Sequence, residues 1–199
     1  MLAARAYRGE KEFKLEQIDV PEVGPGEVLI EVKSAGLAVG LLDQWERGMY
    51  PIMPRTLGHE AAGPIAKVGP GVTNVVEGDR VRLNPNLSCG SCERCVEGVE
   101  ALCAKHSMIG QMMFGPEALP MYEQYHNGAL ATYVLAPATQ VDKLPDSVSY
   151  DVASKVHDVA NAVRVLSVAE LKPGATIVLT AATGTMGSVI VRVAPLFGV

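Results

Sequence analysis

Ala175-Thr-Ile-Val-Leu-Thr180 is followed by Ala182-Thr-Gly184-Thr-Met-Gly187 and then by an apolar run at Val189, Ile190, Val193 and Leu196. The first segment is a continuous, β-branched run of the kind expected for a buried parallel strand. The second is a glycine turn, and the third repeats at helical spacing. A bare A-x-G-x-x-G also suits a buried helix-packing turn. Placed after a strand and before a helix, it reads as the opening unit of a dinucleotide-binding fold. In that reading Gly184 lets the backbone approach a pyrophosphate. The amides of Thr185, Met186 and Gly187 then face it from the helix N-terminus, with Ala182 and Thr183 forming the entry to the turn.

Upstream, Lys172-Pro-Gly174 turns the chain into this strand. Val152, Val156, Val159, Val163 and Leu166 recur at helical spacing, and Ser149 suits an N-cap before them. Residues 149–199 are therefore expected to begin a Rossmann domain. Such a sheet needs about five or six strands and places its ribose reader ~20 residues past the glycines. With Val199 arriving before either, the sequence is expected to be a fragment or a truncated product. Residues 1–148 differ in character, with turns every eight to twelve residues or so, as in a β-rich domain. Strands are expected at Glu27–Lys33, Gly63–Val68, Val81–Leu83 and Gly128–Leu135. Turns fall at Pro21 to Gly26, Gly69-Pro-Gly71 and Gly78-Asp-Arg80. The pattern predicts a short-stranded barrel or sandwich with long loops.

The four cysteines of the chain lie together as Cys89, Cys92, Cys95 and Cys103. The spacing C-x2-C-x2-C-x7-C suits four thiolates closing a tetrahedral shell around one structural Zn²⁺, in a lobe over residues 86–104. Two disulfides or an iron–sulfur cluster are the competing readings. Disulfides need an oxidising compartment, and the N-terminal MLAARAYRGEKEFK has no apolar h-region or cleavage site. Cluster runs usually end in Cys-Pro or come in multiples. A closed four-sulfur site stabilises a fold without offering an open position for chemistry.

The 199 residues are 48% hydrophobic and 20% charged, enough to bury a sizeable core. A formal charge of −5 speaks against nucleic acid or an anionic membrane as partner. Near the C-terminus the most apolar stretch is interrupted by Thr180, Gly184, Thr185, Gly187 and Arg192, so no transmembrane helix is expected. A cytoplasmic protein is the expectation.

Taken in order, Pro25-Gly-Glu-Val-Leu-Ile30, Leu57-Gly-His-Glu-Ala-Ala-Gly63, Gly71-Val-Thr73, Gly78-Asp-Arg-Val81, the cysteines, Gly128-Ala-Leu-Ala-Thr-Tyr133, Leu171-Lys-Pro-Gly174 and the glycine turn resemble the zinc-containing alcohol dehydrogenases of the medium-chain dehydrogenase/reductase family. The resemblance implies a mixed α/β chain: a GroES-like β-barrel catalytic domain followed by the first β-α unit of a Rossmann domain. It also implies hydride transfer between NAD or NADP and an alcohol, aldehyde or ketone, and a homo-oligomeric full-length form. The family's second, catalytic zinc implies His59 as a ligand and Glu60 as a neighbouring carboxylate that binds or orients.

The family's cysteine ligand is missing. Its pattern G-[VIL]-C-x-[ST]-D falls on Gly36-Leu37-Ala38-Val39-Gly40-Leu41, with Trp45 and Gly48 fixing the register. Ala38 stands in place of a thiolate, Gly40 in place of a proton-relay hydroxyl and Leu41 in place of an aspartate. Asp43 falls where a relay histidine often sits. Counting back from Leu171 puts His157 at the third ligand position, with Asp158 beside it. His59, His157 and one of Asp43, Glu60 or Asp158 would rebuild a zinc site. The alternatives are loss of this metal, as in zinc-free quinone reductases, or a non-catalytic binding module. Residues 104–127, rich in methionine and aromatics, read as a surface loop folded on itself rather than a substrate lid, and His106 and His126 as ordinary surface residues.

Overall fold

The computed structural model describes residues 1–199 and divides them into two compact units, Met1–Ser154 and Lys155–Val199. In the first unit the strands are β1 (Leu2–Ala6), β2 (Lys14–Gln17), β3 (Glu27–Glu31), β4 (Ser34–Gly36), β5 (Arg55–Thr56), β6 (Glu60–Val68), β7 (Arg80–Leu83), β8 (Asn86–Leu87), β9 (Ser107–Met108), β10 (Tyr133–Pro137) and β11 (Val141–Lys143). The helices are α1 (Val39–Glu46), α2 (Glu93–Val96), α3 (Leu119–Tyr125) and α4 (Tyr150–Ser154). The main sheet runs β10-β3-β6-β7-β11, with β4 paired to β6, and every pairing in it is antiparallel. A smaller sheet, β2-β1-β5, and the pair β8-β9 complete the unit.

β6 is the spine of this barrel-like unit because it pairs with β3, β4 and β7. Gly63 makes the crowding possible: a Cβ there would lie 1.8 Å from the Glu31 carbonyl oxygen. Val28, Ile30, Ile65, Val81 and Val134 bury their branched side chains inside the sheet. Fully burying each such side chain stabilises the fold by about 1.5–3 kcal/mol. A second cluster gathers Ala6, Leu41, Trp45, Tyr50 and Leu57 between α1 and the small sheet. β10 begins five residues later than the expected Gly128, because Gly128, Ala129, Leu130 and Thr132 spend their amides on Thr56, Gly58, Leu57 and Leu2 respectively.

The expected helix of residues 152–166 is two helices. Ser149 caps α4, its hydroxyl accepting from the Val152 amide at 3.3 Å, and α4 packs on β4, β6 and β7 in the first unit. Lys155, at φ −92° and ψ 0°, breaks the run before α5 (Val156–Val168). In the second unit α5 packs on α6 (Thr185–Val193) through Ala162, Leu166, Ile190 and Val193. The buried face of α5 is thus Asp158, Ala162 and Leu166; of the expected stripe Leu166 lies on it, while Val159 and Val163 are about two-fifths exposed. The strand expected at Ala175–Thr180 is not formed: Ala175–Leu179 pairs with no other strand, since the unit holds none, and Thr180 already lies in a turn. The segment keeps strand alternation, with Ile177 and Leu179 turned to the helices and Val178 93% exposed. No helix is long and apolar enough to cross a membrane.

Candidate metal centre and active-site residues

The cysteine lobe lies between β8 and β9. Cys92 opens α2, and left-handed turns at Gly90 (φ 69°) and Gly98 (φ 77°) curl the chain so that all four sulfurs converge. They lie within 4.8 Å of one another, with Sγ–Sγ distances of 3.9 Å for Cys89–Cys95, 3.5 Å for Cys92–Cys95 and 3.6 Å for Cys103–Cys89. A tetrahedral shell with Zn–S of about 2.3 Å has edges of about 3.8 Å. The donor set therefore fits one Zn²⁺, and none of these separations is a disulfide bond. The Ser91 and Cys92 amides, then the Ser91 hydroxyl, favour the Cys89 thiolate and hold its pKa down to about 5. Three of the cysteines are partly exposed and Cys103 is buried, so the shell is anchored on its inner side.

A second constellation sits at the head of β6. Gly58, at φ 110°, has the left-handed backbone that glycine tolerates, and delivers His59 and Glu60 into the interior. His59 is 5% and Glu60 1% exposed, with His59 Nε2 3.8 Å from Glu60 Oε1. Glu60 lies opposite Gly36 on β4, and its Oε2 occupies the space a Cβ at residue 36 would need. Buried charge of this kind is expensive unless partnered, which makes such pairs candidates for function.

The other residues named from the sequence distribute unevenly. Ala38 caps α1 from an extended backbone and packs with Leu41 and Trp45, its methyl offering no donor atom. Gly40 opens onto empty space. Asp43, read as a relay residue, instead lies on the exposed face of α1 and pairs with Arg47 Nε at 2.8 Å. The helical register turns Leu41 and Trp45 inward, and Asp43 therefore outward. In the second unit His157 and Asp158 occupy the first turn of α5. His157 Nε2 lies 3.1 Å from Asn161 Nδ2, and the buried Asp158 is 2.9 Å from Lys155 Nζ.

Gly184 caps α6, and the first-turn amides, including Thr185, Met186 and Gly187, lack intrahelical acceptors, an arrangement that suits an anion. A Cβ on Gly187 would lie 2.1 Å from the Ala181 carbonyl oxygen, so the turn closes only with glycine there.

Residues 104–127 are not a loop folded on itself. Tyr122 and Tyr125 of α3 are buried, and Tyr125 Oη and Gln124 Nε2 both donate to Glu27 Oε1 at 2.6 Å. His126 is half-buried and its carbonyl accepts from Arg55, while His106 stacks on Phe114. Arg55, wholly buried, escaped the sequence reading; its only signal was a cation in the otherwise uncharged stretch from Met49 to Gly58.

The sequence pattern of the alcohol dehydrogenase GroES-like domain matches residues 24–146. Among curated proteins, the chain is 34% identical over 195 residues to a probable D-xylulose reductase A of Aspergillus clavatus, covering 96% of this chain and 51% of that one. It is 32% identical over 201 residues to a sorbitol dehydrogenase of Bacillus subtilis (99% and 53%), and 34% over 184 residues to an L-threonine 3-dehydrogenase of Francisella tularensis (90% and 48%). The chain spans about half the length of these relatives. A solved NAD-dependent alcohol dehydrogenase superimposes with a TM-score of 0.86 at 30% identity, covering 100% of this chain and 56% of that one. A cobalt- and zinc-bound thermostable alcohol dehydrogenase from Pyrobaculum aerophilum gives 0.86 at 30% identity, covering 100% and 57%. The folded core of β3, β6, β7 and β10, the four-sulfur lobe and the Gly58-His59-Glu60 entry thus have one common explanation: the chain belongs to the alcohol dehydrogenase GroES-like domain family, among the zinc-type medium-chain alcohol dehydrogenases.

Proposed function

We propose that this chain carries the catalytic domain and the first cofactor-binding turn of a nicotinamide-dependent dehydrogenase acting on a small hydroxylated molecule or its carbonyl product. The observation that carries this is the buried His59–Glu60 pair at the head of β6, inside a chain of the zinc-type family. The relatives' names, a xylulose reductase, a sorbitol dehydrogenase and a threonine dehydrogenase, favour a polyol or another small polar alcohol as substrate. Zinc held by Cys89, Cys92, Cys95 and Cys103 has a structural role, because four protein ligands leave no open position. At the second site the first unit supplies His59 and Glu60. A zinc bound there would supply Lewis-acid polarisation of a substrate oxygen, and NAD or NADP would supply or accept the hydride. The chain's own part is to hold that oxygen beside His59 and to receive the pyrophosphate on the Thr185, Met186 and Gly187 amides. With Gly40 lacking a hydroxyl and Asp43 paired to Arg47, the substrate proton leaves by a route other than the family's usual relay.

Ala38 supports a second reading, a zinc-free reductase of the same family. Zinc content decides between them. Two zincs per chain, of which His59→Gln removes one and Cys92→Ser the other, support the rebuilt site; one zinc, insensitive to His59→Gln, supports the reductase. A third outcome, no NAD(P)-dependent conversion of any polyol, alcohol, aldehyde or ketone in either direction by the longest natural form of the protein, would overturn both. We place the protein in the cytoplasm, where the four thiols stay reduced, as a homo-oligomer with neither nucleic acid nor membrane as partner.

A further inference from the structure

Arg55 is the largest fully buried side chain of the protein, and no carboxylate contacts it. Its Nη1 donates to the Gln111 carbonyl at 2.9 Å and to Tyr122 Oη, and its Nη2 donates to the His126 carbonyl. The guanidinium carbon lies 4.6 Å from the centroid of the Tyr50 ring and 5.1 Å from that of Tyr122. Carbonyl dipoles and ring faces thus replace a counter-ion. Apolar side chains of similar volume often serve stability as well as a buried charge does, so stability alone does not account for a cation here.

Its partners explain where the force is applied. Gln111, Tyr122 and His126 all belong to the methionine-rich segment, and Arg55 stands four residues before His59. Between them, Thr56 N donates to Asn127 Oδ1 at 2.9 Å, Gly58 N to the Gly110 carbonyl at 3.1 Å, and Gly128 N to the Thr56 carbonyl at 2.8 Å. Ala129 N then donates to the Gly58 carbonyl at 2.9 Å. Arg5 braces the same corner, donating to the Pro54 carbonyl at 2.9 Å and to Asn127 Oδ1 at 2.7 Å. The three glycines touch backbone to backbone: a Cβ on Gly110 or Gly128 would lie 2.1 or 2.0 Å from the Gly58 oxygen. Any shift of the methionine-rich segment is therefore passed to Gly58, and the next residue is His59.

We propose that Arg55 is a positioning residue: its guanidinium pins the 104–127 segment against β5 and thereby sets where the His59 imidazole sits. The proposal rests on His59 being a functional residue, but its test does not depend on turnover. The test uses the zinc-loaded 199-residue chain labelled with ¹⁵N-histidine, its four histidines assigned by single His→Gln variants. Arg55→Lys keeps the charge but cannot reach Gln111, Tyr122 and His126 together. The expected result is a His59 ring spectrum that shifts or splits into several sets, while His106 resonances, cysteine-bound zinc and far-ultraviolet circular dichroism stay as in the parent. Arg80→Lys is the control, since Arg80 similarly holds the carbonyls of Pro145, Asp146 and Val148. A His59 spectrum superimposable on the parent in folded Arg55→Lys, or an equal change in Arg80→Lys, overturns the proposal. Should Arg55→Lys not fold, Tyr122→Phe decides: it removes one acceptor, and an unmoved His59 spectrum there overturns the proposal equally. Absence of dehydrogenase activity leaves this result standing, so the two readings fail separately.

Discussion

Alanine at Gly128 strikes the tightest backbone crossing beside His59. The added Cβ would lie 2.0 Å from the Gly58 oxygen and 2.6 Å from the Gly110 Cα. Neither obstacle is a side chain that can swing aside, so opening the contact to 3.0 Å needs a backbone shift of about 1 Å. Gly58 O accepts from Ala129 N at 2.9 Å, and Gly58 N donates to Gly110 O at 3.1 Å. A shift of that size breaks at least one of these bonds, costing about 1 kcal/mol. Overpacking adds about 1–3 kcal/mol, for a loss of about 2–4 kcal/mol. Gly128 does not have a left-handed φ, so the cost is steric rather than conformational. Urea unfolding followed by Trp45, the single tryptophan and a neighbour of Leu57 in the core, reads the first unit alone. With an m-value of about 2 kcal/mol/M, the midpoint should fall by about 1–2 M. Gly115→Ala is the control: its Cβ would meet only the Ala104 oxygen at 3.5 Å, and the change should stay within about 0.5 kcal/mol. A Gly128→Ala midpoint no lower than that of the control would refute the crossing as drawn.

Gly36→Ala should expel the Glu60 carboxylate, whose Oε2 would sit 1.7 Å from the new Cβ, and cost about 1–3 kcal/mol. Adding Glu60→Ala should recover much of that loss, and a double-mutant cycle by urea unfolding measures the coupling. Cys95→Ser should release the lobe's zinc, seen by elemental analysis, and raise amide exchange over residues 89–106 while Trp45 fluorescence stays as in the parent. Burial, opposed by the Arg55 cation, pushes Tyr50 up to about 12. Unfolded tyrosine ionises near 10, so above that pH the unfolded chain loses its proton first, and stability should fall until about pH 12. Tyr50→Phe should flatten that fall in urea titrations between pH 9 and 12, and an unchanged slope would count against the burial of the hydroxyl.

The features legible in the sequence are those whose geometry closes locally. Four sulfurs within fifteen residues can converge only around a common centre, and the lobe does so. The glycine turn is equally local, since Gly187 answers a clash with Ala181 six residues away. β3, β6 and β7 followed from alternation between turn residues, although β1 and β2, short and half-exposed, left no such mark. Helix faces were harder: residues at helical spacing identified a helix, but of the expected stripe only Leu166 is buried, and Asp158 and Ala162 complete the inner face. Periodicity counts apolar residues and cannot say which stripe meets a partner.

The family, the four-cysteine cluster and the order of strands and turns could all be read from residue types and their spacing, because each is local. Long-range packing was needed to turn Asp43 to solvent, to set Glu60 in the hollow beside Gly36 and to bury Tyr122 and Tyr125 of the methionine-rich segment. It alone placed Arg55 at the centre of that segment, because its partners lie 56, 67 and 71 residues further along the chain. Such a contact has no period and no motif. It exists only once folding has brought β5 and the segment together, when burial leaves a cation nothing but carbonyls and rings to lean on.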